Sequence, residues 1–405
     1  MRIWIENPFD NLPVEGFRPQ RYWLMAQAFA RAGHEVVLWT ANFNHTTKQK
    51  RRFVVQPKLE TDELGGKLPE FIVDGIRLIL LYEPPYDKNV SLGRVISHRA
   101  YAKQWEAYAR KRADALGHPD VIIVSTPPLA TGDVAIRLAR HWGAKLVVDV
   151  MDDWPGTFYR LLPRGLRWFG RMAFASAHRA ARRLYAAADL VTGVADRYAD
   201  LVSPKTFTRF YHGIEIDQFT QSAPIEQSNS QTTKQPNNLS LVYAGNLGRT
   251  YDLQTVVQVV DMLPNVTLDV AGKGEGLAAL QARASDRIRI HGYLGADELK
   301  ALLLTCDAGI VPMAAESCVG VPYKFGDYSA AGLAIMSSLG GESGDLLRRY
   351  GAGVSYQTGD AASFAAAIAE LLPRIEEAKA GSRKMAEAEF DSRRIYDDYV
   401  RQVAL

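Results

Sequence analysis

The chain alternates, from one end to the other, between short segments rich in Val, Ile and Leu and longer amphipathic segments. In the first half the predicted strands are Arg2–Glu6, Val36–Thr40, Ile76–Tyr82, Val121–Ser125 and Leu146–Val150, with helices at Pro19–Ala32, Ser97–Leu116 and Thr131–Trp142. In the second half they are Leu239–Tyr243, Thr267–Ala271, Ile288–Ile290, Asp307–Met313 and Ala334–Met336. Repeated strand–helix–strand order predicts parallel sheets with helices on both faces. We therefore expect an α/β protein of two doubly wound, Rossmann-like domains that face a cleft.

The length supports two domains, because 405 residues exceed what one hydrophobic core usually holds. We place the first domain at residues 1–208 and the second at 209–382. Residues 383–405 continue a helical pattern that begins at Ser382, and we expect this helix to cross back onto the first domain. The run Gln221–Asn238 is rich in Gln, Ser, Asn and Thr and predicts a mobile loop without chemistry.

Composition is that of an ordinary globular protein, with 47% hydrophobic and 23% charged residues. No apolar run approaches the length of a membrane span, and the first residues read as a strand and not as a signal peptide. We therefore expect a cytoplasmic protein. The two cysteines, Cys306 and Cys318, form neither a disulfide framework nor a zinc pattern.

A net charge of +3 conceals an uneven distribution. Residues 1–210 contain 31 Lys and Arg against 21 Asp and Glu, whereas residues 211–405 contain 17 against 24. Seven arginines lie among aromatic residues between Tyr159 and Arg183, which reads as one helix, and a second basic run spans Lys48–Phe53. Neither resembles a nucleic-acid recognition motif, so we expect no nucleic-acid partner and favour an anionic membrane. The alternative is a solvated helix whose aromatic residues face its own core.

Glycines follow two of the predicted strands in the second half. Gly245, Asn246 and Arg249 follow the strand that ends at Tyr243, where backbone N–H groups and a guanidinium suit a phosphate. The segment Ala271–Gly276 departs from the G-x-G-x-x-G spacing of dinucleotide binders, which argues against a dehydrogenase. Patterns of P-loop enzymes, zinc proteases and serine hydrolases are absent from the sequence.

The most informative segment is Gly320–Gly332, which follows the fourth predicted strand of the second half. Lys324 and Asp327 lie three residues apart there and should occupy neighbouring positions on one helical turn. A cation suits a diphosphate, and a carboxylate suits ribose hydroxyls. The pair predicts a nucleotide-sugar site; a surface ion pair is the alternative.

Several segments, in order, resemble glycosyltransferase family 4 of the GT-B fold, and most closely the branch with bacterial L-fucosamine transferases of surface-polysaccharide assembly. The segments are Gly33–Val36, Asn42–His45, Asp149–Pro155, Tyr211–Phe219, Gly245–Gly248 and Val321–Tyr328. The resemblance implies a retaining glycosyltransferase that uses a nucleotide sugar, most suitably a UDP-sugar, without metal or other cofactor. It also implies roles for individual residues. They are Asp152, Glu316 and Lys324 as catalytic candidates; Gly245, Asn246, Arg249, Tyr293, Leu294, Gly320, Lys324 and Asp327 on the donor side; and Glu15 and Gly16 beside the acceptor.

The basic first half and the resemblance together suggest a polyprenyl-diphosphate-linked saccharide as acceptor, at the inner face of the cytoplasmic membrane. Two other functions are the alternatives, the first of them with the same fold. A UDP-sugar epimerase would convert the donor without an acceptor, and a non-catalytic protein would bind the nucleotide sugar without turnover. For Asp152 a structural role, as the N-cap of a helix, is the alternative to a role in the cleft.

Overall fold

The computed structural model describes residues 1–54, 58–59, 70–160, 162–202, 207–220, 238–315 and 317–405. The chain divides into two units, residues 1–210 with 393–405 and residues 211–392. Residues 221–237 of the predicted loop Gln221–Asn238 and the candidate Glu316 lie outside the described residues.

The first unit is built on a nine-stranded sheet with the order β11-β10-β9-β8-β1-β2-β7-β6-β5. Among its described strands, β6 runs antiparallel to both of its neighbours, β5 and β7, and the other pairs are parallel. The strands are β1 (Arg2–Glu6), β2 (Glu35–Ala41), β5 (Lys58–Leu59), β6 (Glu70–Val73), β7 (Ile76–Leu81), β8 (Val121–Thr126), β9 (Lys145–Val150), β10 (Leu190–Gly193) and β11 (Phe207–Arg209); β3 (Phe43–Asn44) and β4 (Gln49–Lys50) form a separate hairpin. The strand order reverses direction beside β1, and ligands of open α/β sheets bind at the carboxyl edge near such a point.

Helices cover both faces of this sheet. They are α1 (Arg21–Arg31), α2 (Leu92–Leu116), α3 (Gly132–Trp142), α4 (Gly156–Arg160), α5 (Arg167–Ala173) and α6 (Ala175–Ala187). Under α2 and α3 the core contains Trp4, whose ring meets those of Trp39 and Trp142 edge-on at centroid distances of 5.1 and 5.0 Å. Offset and edge-on aromatic pairs stabilise a core beyond the area that they bury.

The sequence suggested one helix from Tyr159 to Arg183, and this prediction is wrong. Helix α4 ends at Arg160, a short turn follows at Arg164–Leu166, and the chain then forms α5 and α6. Pro163 explains the break, because proline has no N–H to donate and disfavours helical backbone in the residue before it.

The second unit has a six-stranded parallel sheet with the order β14-β13-β12-β15-β16-β17. The strands are β12 (Leu239–Ala244), β13 (Val266–Ala271), β14 (Ile288–Gly292), β15 (Ala308–Val311), β16 (Ala334–Ser337) and β17 (Gly353–Ser355). The helices are α7 (Asp217–Thr220), α8 (Leu253–Met262), α9 (Leu277–Gln281), α10 (Ala296–Thr305), α11 (Tyr323–Ala330), α12 (Gly341–Tyr350), α13 (Ala361–Leu371) and α14 (Ile375–Met385). The predicted α/β architecture with two Rossmann-like parallel sheets is thereby confirmed.

The chain returns to the first unit later than expected. After α14 a π-helical turn at Ala386–Phe390 follows, and Ile214 N–H donates to the Phe390 carbonyl at 2.7 Å while Ser392 N–H donates to the Ile214 carbonyl at 3.0 Å. These bonds keep residues 383–392, which we expected to cross back, in the second unit. The C-terminal helix (Ser392–Ala404) belongs to the first unit from Arg393 onward.

A fully buried ion pair joins α1 to the sheet of the first unit. Arg21 Nε and Nη2 donate to the two carboxylate oxygens of Asp149 at 2.7 and 2.8 Å, and neither side chain is exposed. Tyr22 and Thr192 donate their hydroxyls to the same carboxylate at 2.8 and 2.6 Å, and Arg21 Nη1 donates to the Phe210 carbonyl at 2.9 Å. Burial by itself would raise the pKa of Asp149, but the guanidinium and the hydroxyl donors hold it below its usual value.

We predict that Asp149→Ala lowers the free energy of unfolding by about 3–5 kcal/mol, because it leaves the Arg21 guanidinium buried without its carboxylate. Asp133→Ala is the control, since Asp133 pairs with Arg183 at 3.0 Å on the surface and such pairs contribute about 0–1 kcal/mol. Urea unfolding followed by tryptophan fluorescence measures both. An equal decrease in the free energy of unfolding in the two variants would show that the buried pair contributes no more to stability than the surface pair.

Candidate functional site

Three loops meet at the carboxyl edge of the second sheet. Gly245 N–H donates to the Ala271 carbonyl at 2.9 Å, and Gly272 N–H donates to the Gly292 carbonyl at 2.6 Å. Gly245 and Gly272 have φ of +147° and +152°, and a Cβ on Gly272 would lie 1.8 Å from the Gly245 carbonyl oxygen. Only glycine permits this approach of one backbone to another. The loops after β12, β13 and β14 thus form one continuous backbone floor.

Lys324 lies directly over this floor. A Cβ on Gly245 would be 2.4 Å from Lys324 Nζ, so the ammonium occupies the space that a side chain would need. The same Nζ lies 5.1 Å from the ring centroid of Tyr243 and 4.9 Å from that of Tyr251. Cation–π attraction to two rings positions the charge at the end of β12.

Helix α11 presents Lys324 to the end of β12. It begins after Pro322, and Lys324 and Asp327, both half-buried, lie one turn apart on it. The Tyr328 hydroxyl accepts a hydrogen bond from Ala244 N–H at 3.0 Å, which joins α11 to the last residue of β12. Ser343 Oγ donates to the Gly320 carbonyl at 2.6 Å and fixes the turn before the helix.

His212 packs on the first residue of this helix. Its ring stacks on that of Tyr323 with a centroid distance of 3.6 Å and an interplanar angle of 23°. The structure therefore brings the turn at the start of the second unit against the segment that carries Lys324.

Arg249, predicted as a second diphosphate cation, has a different environment. Its side chain is 91% exposed, and its Nε lies 3.3 Å from a carboxylate oxygen of Glu275. It lines a cavity of about 910 Å³ together with Tyr251 and Glu275, and Lys324 is not among the lining residues. Arg249 thus faces solvent and a carboxylate, whereas Lys324 faces aromatic rings.

The remaining donor-side candidates line the same edge. The Asn246 carbonyl accepts the Tyr243 hydroxyl, and its side-chain oxygen lies beside Gly274. Tyr293, which is 59% exposed, has Lys273 Nζ 4.8 Å from its ring centroid, and Leu294 is half-buried beside it. These residues form an open aromatic surface after β14.

In the first unit, Asp152 is engaged by its own loop. Its Oδ1 accepts from Asp153 N–H at 2.8 Å and from the hydroxyl of Thr157, in the first turn of α4, at 3.1 Å. Burial raises the pKa of Asp152 above its usual value. Asp152 is thus held by its own loop, and a raised pKa is common among carboxylates of functional sites.

The acceptor-side candidates differ from each other. Glu15 is buried, with Arg51 and Asn44 Nδ2 as donors to its carboxylate, so it ties the loop after β1 to the β3–β4 hairpin. Gly16 is exposed with φ of +82° and ends the short helical turn Pro13–Glu15. Of this pair, the structure leaves only Gly16 open to a ligand.

The first unit contains a further group of side chains that the sequence did not predict as a site. We call it the cation–aromatic cluster, and it consists of Phe9, His45, Lys48, Tyr86, Arg94, His98 and Trp154. Arg94 lies 4.8 Å above the ring of Trp154 and 5.5 Å above that of Phe9, and Lys48 lies 4.5 Å from that of Tyr86. Its members come from the loops after β1, β3, β7 and β9 and from the start of α2. The sequence singles out Lys48 in a basic run and His45 and Trp154 in segments of the family resemblance, but it gives no sign that these residues meet.

Solved structures of other proteins share this fold. A sucrose-phosphate synthase (tll1590) from Thermosynechococcus elongatus is 15% identical, with a TM-score of 0.72 over 100% of this chain and 98% of the other. Anabaena Alr3699/HepE in complex with UDP-glucose is 14% identical, with a TM-score of 0.66 over 100% and 99%. WaaG, a glycosyltransferase involved in lipopolysaccharide biosynthesis, is 13% identical, with a TM-score of 0.66 over 99% of both chains.

Family models match both units. One, described as a glycosyl transferase 4-like domain, matches residues 20–208, and another, described as glycosyl transferases group 1, matches residues 238–374. The chain belongs to the glycosyltransferases of the GT-B fold. No curated protein matches this glycosyltransferase at a significant level.

We predict that Gly272→Ala destabilises the glycosyltransferase by about 3 kcal/mol, because the new Cβ collides with the Gly245 carbonyl and the backbone conformation disfavours a side chain. Gly351→Ala is the matched control: its φ is +60°, nothing lies within 4 Å of the added Cβ, and the expected loss is about 1 kcal/mol. Denaturant unfolding of both variants measures the difference. Equal stabilities would contradict the close contact between the two loops.

Proposed function

We propose that the glycosyltransferase moves a sugar from a UDP-sugar to a saccharide acceptor. The observation that carries the proposal is the position of Lys324 over the glycine floor at the end of β12. Backbone N–H groups and a fixed ammonium at the carboxyl edge of a parallel sheet suit a diphosphate. The bound UDP-glucose in the similar Anabaena protein supports this class of donor.

Each donor-side residue then has a defined role. Lys324 and the backbone near Gly245 and Gly320 bind the diphosphate, and Asp327 binds the ribose hydroxyls through its carboxylate. Tyr293 and Leu294 border the base, and Asn246 stabilises the loop after β12. Arg249 must break its ion pair with Glu275 to reach the diphosphate, so it contributes less to diphosphate binding than Lys324 does.

Charge on the leaving diphosphate rises as the glycosidic bond breaks. A cation already in place at that position stabilises the transition state more than the bound donor, and so it raises kcat. We propose that Lys324 supplies this charge and that the reaction needs no metal ion. Retention of the anomeric configuration then requires no protein nucleophile, because the acceptor attacks from the side of the departing phosphate, whose oxygen takes the acceptor proton. Asp152 and Glu316 orient substrate in this scheme.

Lys324→Ala should raise the KM for the donor and lower kcat, with a total loss in kcat/KM of about a hundredfold. Lys384→Ala is the control, since Lys384 is an exposed residue of α14 and its loss should leave both constants unchanged. The assay is transfer from a panel of UDP-, GDP- and TDP-sugars in buffer with EDTA. Unchanged kinetics for the Lys324 variant, or activity that returns only with magnesium, would refute the proposed role.

The same panel separates the other functions. A UDP-sugar epimerase would convert the donor when no acceptor is present. A protein that only binds nucleotide sugar would show thermal stabilisation by a donor without hydrolysis or transfer. The proposed transferase should release UDP slowly from one donor and faster when a saccharide acceptor is added.

We also propose that the acceptor is a polyprenyl-diphosphate-linked saccharide of bacterial cell-surface polysaccharide synthesis, as in the branch with the L-fucosamine transferases, and that the first unit contacts an anionic membrane. The surface of α5 supports this contact. Trp168, Phe169 and Met172 have exposed fractions of 63%, 59% and 64%, and Arg167 and Arg171 lie among them. Aromatic and basic side chains on one exposed surface are typical of helices that lie in a membrane interface.

The alternative, a helix whose aromatic residues face its own core, fits only part of this segment. Phe174 stacks on Phe158 with a centroid distance of 5.5 Å, whereas Trp168 and Phe169 remain exposed. Along the described residues, no helix is both long enough and apolar enough to cross a bilayer.

The double variant Trp168→Ser/Phe169→Ser should bind vesicles of phosphatidylglycerol at least tenfold more weakly than the parent, because it removes two large apolar side chains from the interface. Arg167→Glu/Arg171→Glu should weaken binding by a similar factor, since each basic residue contributes about 1 kcal/mol near an anionic surface. Flotation measures both. Met262→Ser, an equally exposed apolar position on α8, is the control, and equal binding by all variants would exclude α5 as the membrane contact.

A further inference from the structure

The cation–aromatic cluster of the first unit holds two cations that are not neutralised locally. Lys48 Nζ donates to the side-chain oxygen of Asn89, and Arg94 Nη1 donates to the Asn89 carbonyl at 2.8 Å. Arg94 Nε donates to His98 Nε2 at 3.3 Å. Among the described residues, neither cation forms an ion pair with a carboxylate.

Burial and neighbouring cations lower the pKa values of the two histidines and the lysine of this cluster. Burial, together with the neighbouring cations, lowers the pKa of His45 and of His98 to about 3, so both rings are neutral near pH 7. Burial and Arg94 lower the pKa of Lys48 to about 8. Glu83 and Asp87 attract Lys48, and Glu83 and Asp152 attract Arg94, but among the described residues none of these carboxylates lies within the 4.0 Å of an ion pair.

Both cations occupy positions in the backbone that are energetically unfavourable for them. Lys48 has φ of +59° at the end of the turn between β3 and β4, a conformation that favours Gly or Asn. Arg94 lies in the first turn of the 25-residue helix α2, where no acidic residue is present and the helix dipole repels a cation. An anion in the cluster would offset both costs, because it attracts the two side chains and the helix N-terminus together.

The surroundings indicate what carries the anion. At the start of α2, Val90, Leu92 and Ile96 have exposed fractions of 71%, 74% and 55%. Apolar residues on the surface beside a cationic group suit a ligand that joins an anionic group to an apolar chain. The faces of Phe9, Tyr86 and Trp154 add apolar contact inside the cluster.

We propose that the cation–aromatic cluster binds a phosphate group of the lipid-linked acceptor through Lys48 and Arg94. The inference rests on the proposed function, since it assigns a binding site to the acceptor named there. The guanidinium and the ammonium contact phosphate oxygens, and the apolar residues at the start of α2 contact the isoprenoid chain. The site thereby selects acceptors that carry both a phosphate and a chain.

Calorimetry with farnesyl diphosphate, farnesol and inorganic pyrophosphate tests the assignment on the intact protein without turnover. The parent should bind farnesyl diphosphate at least tenfold more tightly than either of the other two probes. Arg94→Gln and Lys48→Gln should each weaken binding of farnesyl diphosphate about tenfold or more, whereas Arg99→Gln, an exposed position of α2, should not. Arg94→Lys should recover part of the loss. Thermal unfolding shows whether each variant is folded.

Three outcomes would overturn the proposal. They are equal affinity of the parent for pyrophosphate and farnesyl diphosphate, equal affinity for farnesol and farnesyl diphosphate, and unchanged binding by folded Arg94 and Lys48 variants. Failure of the proposed function is distinct from these, because it would appear in the donor assays of the Lys324 variant while the calorimetric result stands.

Discussion

The buried pair of Arg21 and Asp149 is the interaction on which the first unit depends. It joins the start of α1 to the end of β9, and Thr192 of β10 donates to the same carboxylate. Tyr399 of the C-terminal helix lies 3.2 Å from the Thr192 hydroxyl, so the returning helix packs on this network. A buried charge is tolerated only when its partners are complete, and here they come from four separated segments of the chain. The pair thus fixes the edge of the sheet where the loops of the candidate site begin.

In the second unit, close backbone contacts hold the loops at the carboxyl edge of the sheet in place. Gly245 and Gly272 bring two loops together more closely than any side chain would allow, and the space above Gly245 is filled by the Lys324 ammonium. Cation–π attraction to Tyr243 and Tyr251 helps to hold that ammonium at the end of β12, where the proposed function places the donor diphosphate.

Sequence patterns predict the parts of this molecule that depend on local order. Ten strands, the position of Lys324 and Asp327 on one helix and the glycines after β12 and β13 follow from spacing, because period and turn chemistry act over a few residues. The sequence did not predict the short strands β3–β6, β10, β11 and β17. Side-chain partners do not follow. Glu15 lies in a loop that the sequence predicts to be open, yet its carboxylate pairs with Arg51. Arg94 contacts the rings of both Phe9 and Trp154, which lie 145 residues apart in the sequence. Such pairings depend on how loops after different strands meet, and a single sequence does not specify that.

The uneven distribution of charge acquires a physical meaning from these two sites. In the acidic second half the Lys324 ammonium lies near two tyrosine rings, and in the basic first half burial together with Arg94 lowers the pKa of Lys48. A site that must bind one donor diphosphate and release it after transfer works best with limited positive charge. A site that keeps a membrane-bound acceptor in place gains from an excess, since the anionic surface and the ligand attract the same residues. On the proposed function, the basic first unit therefore matches an anionic lipid-linked acceptor, and the acidic second unit matches a donor diphosphate that leaves after transfer.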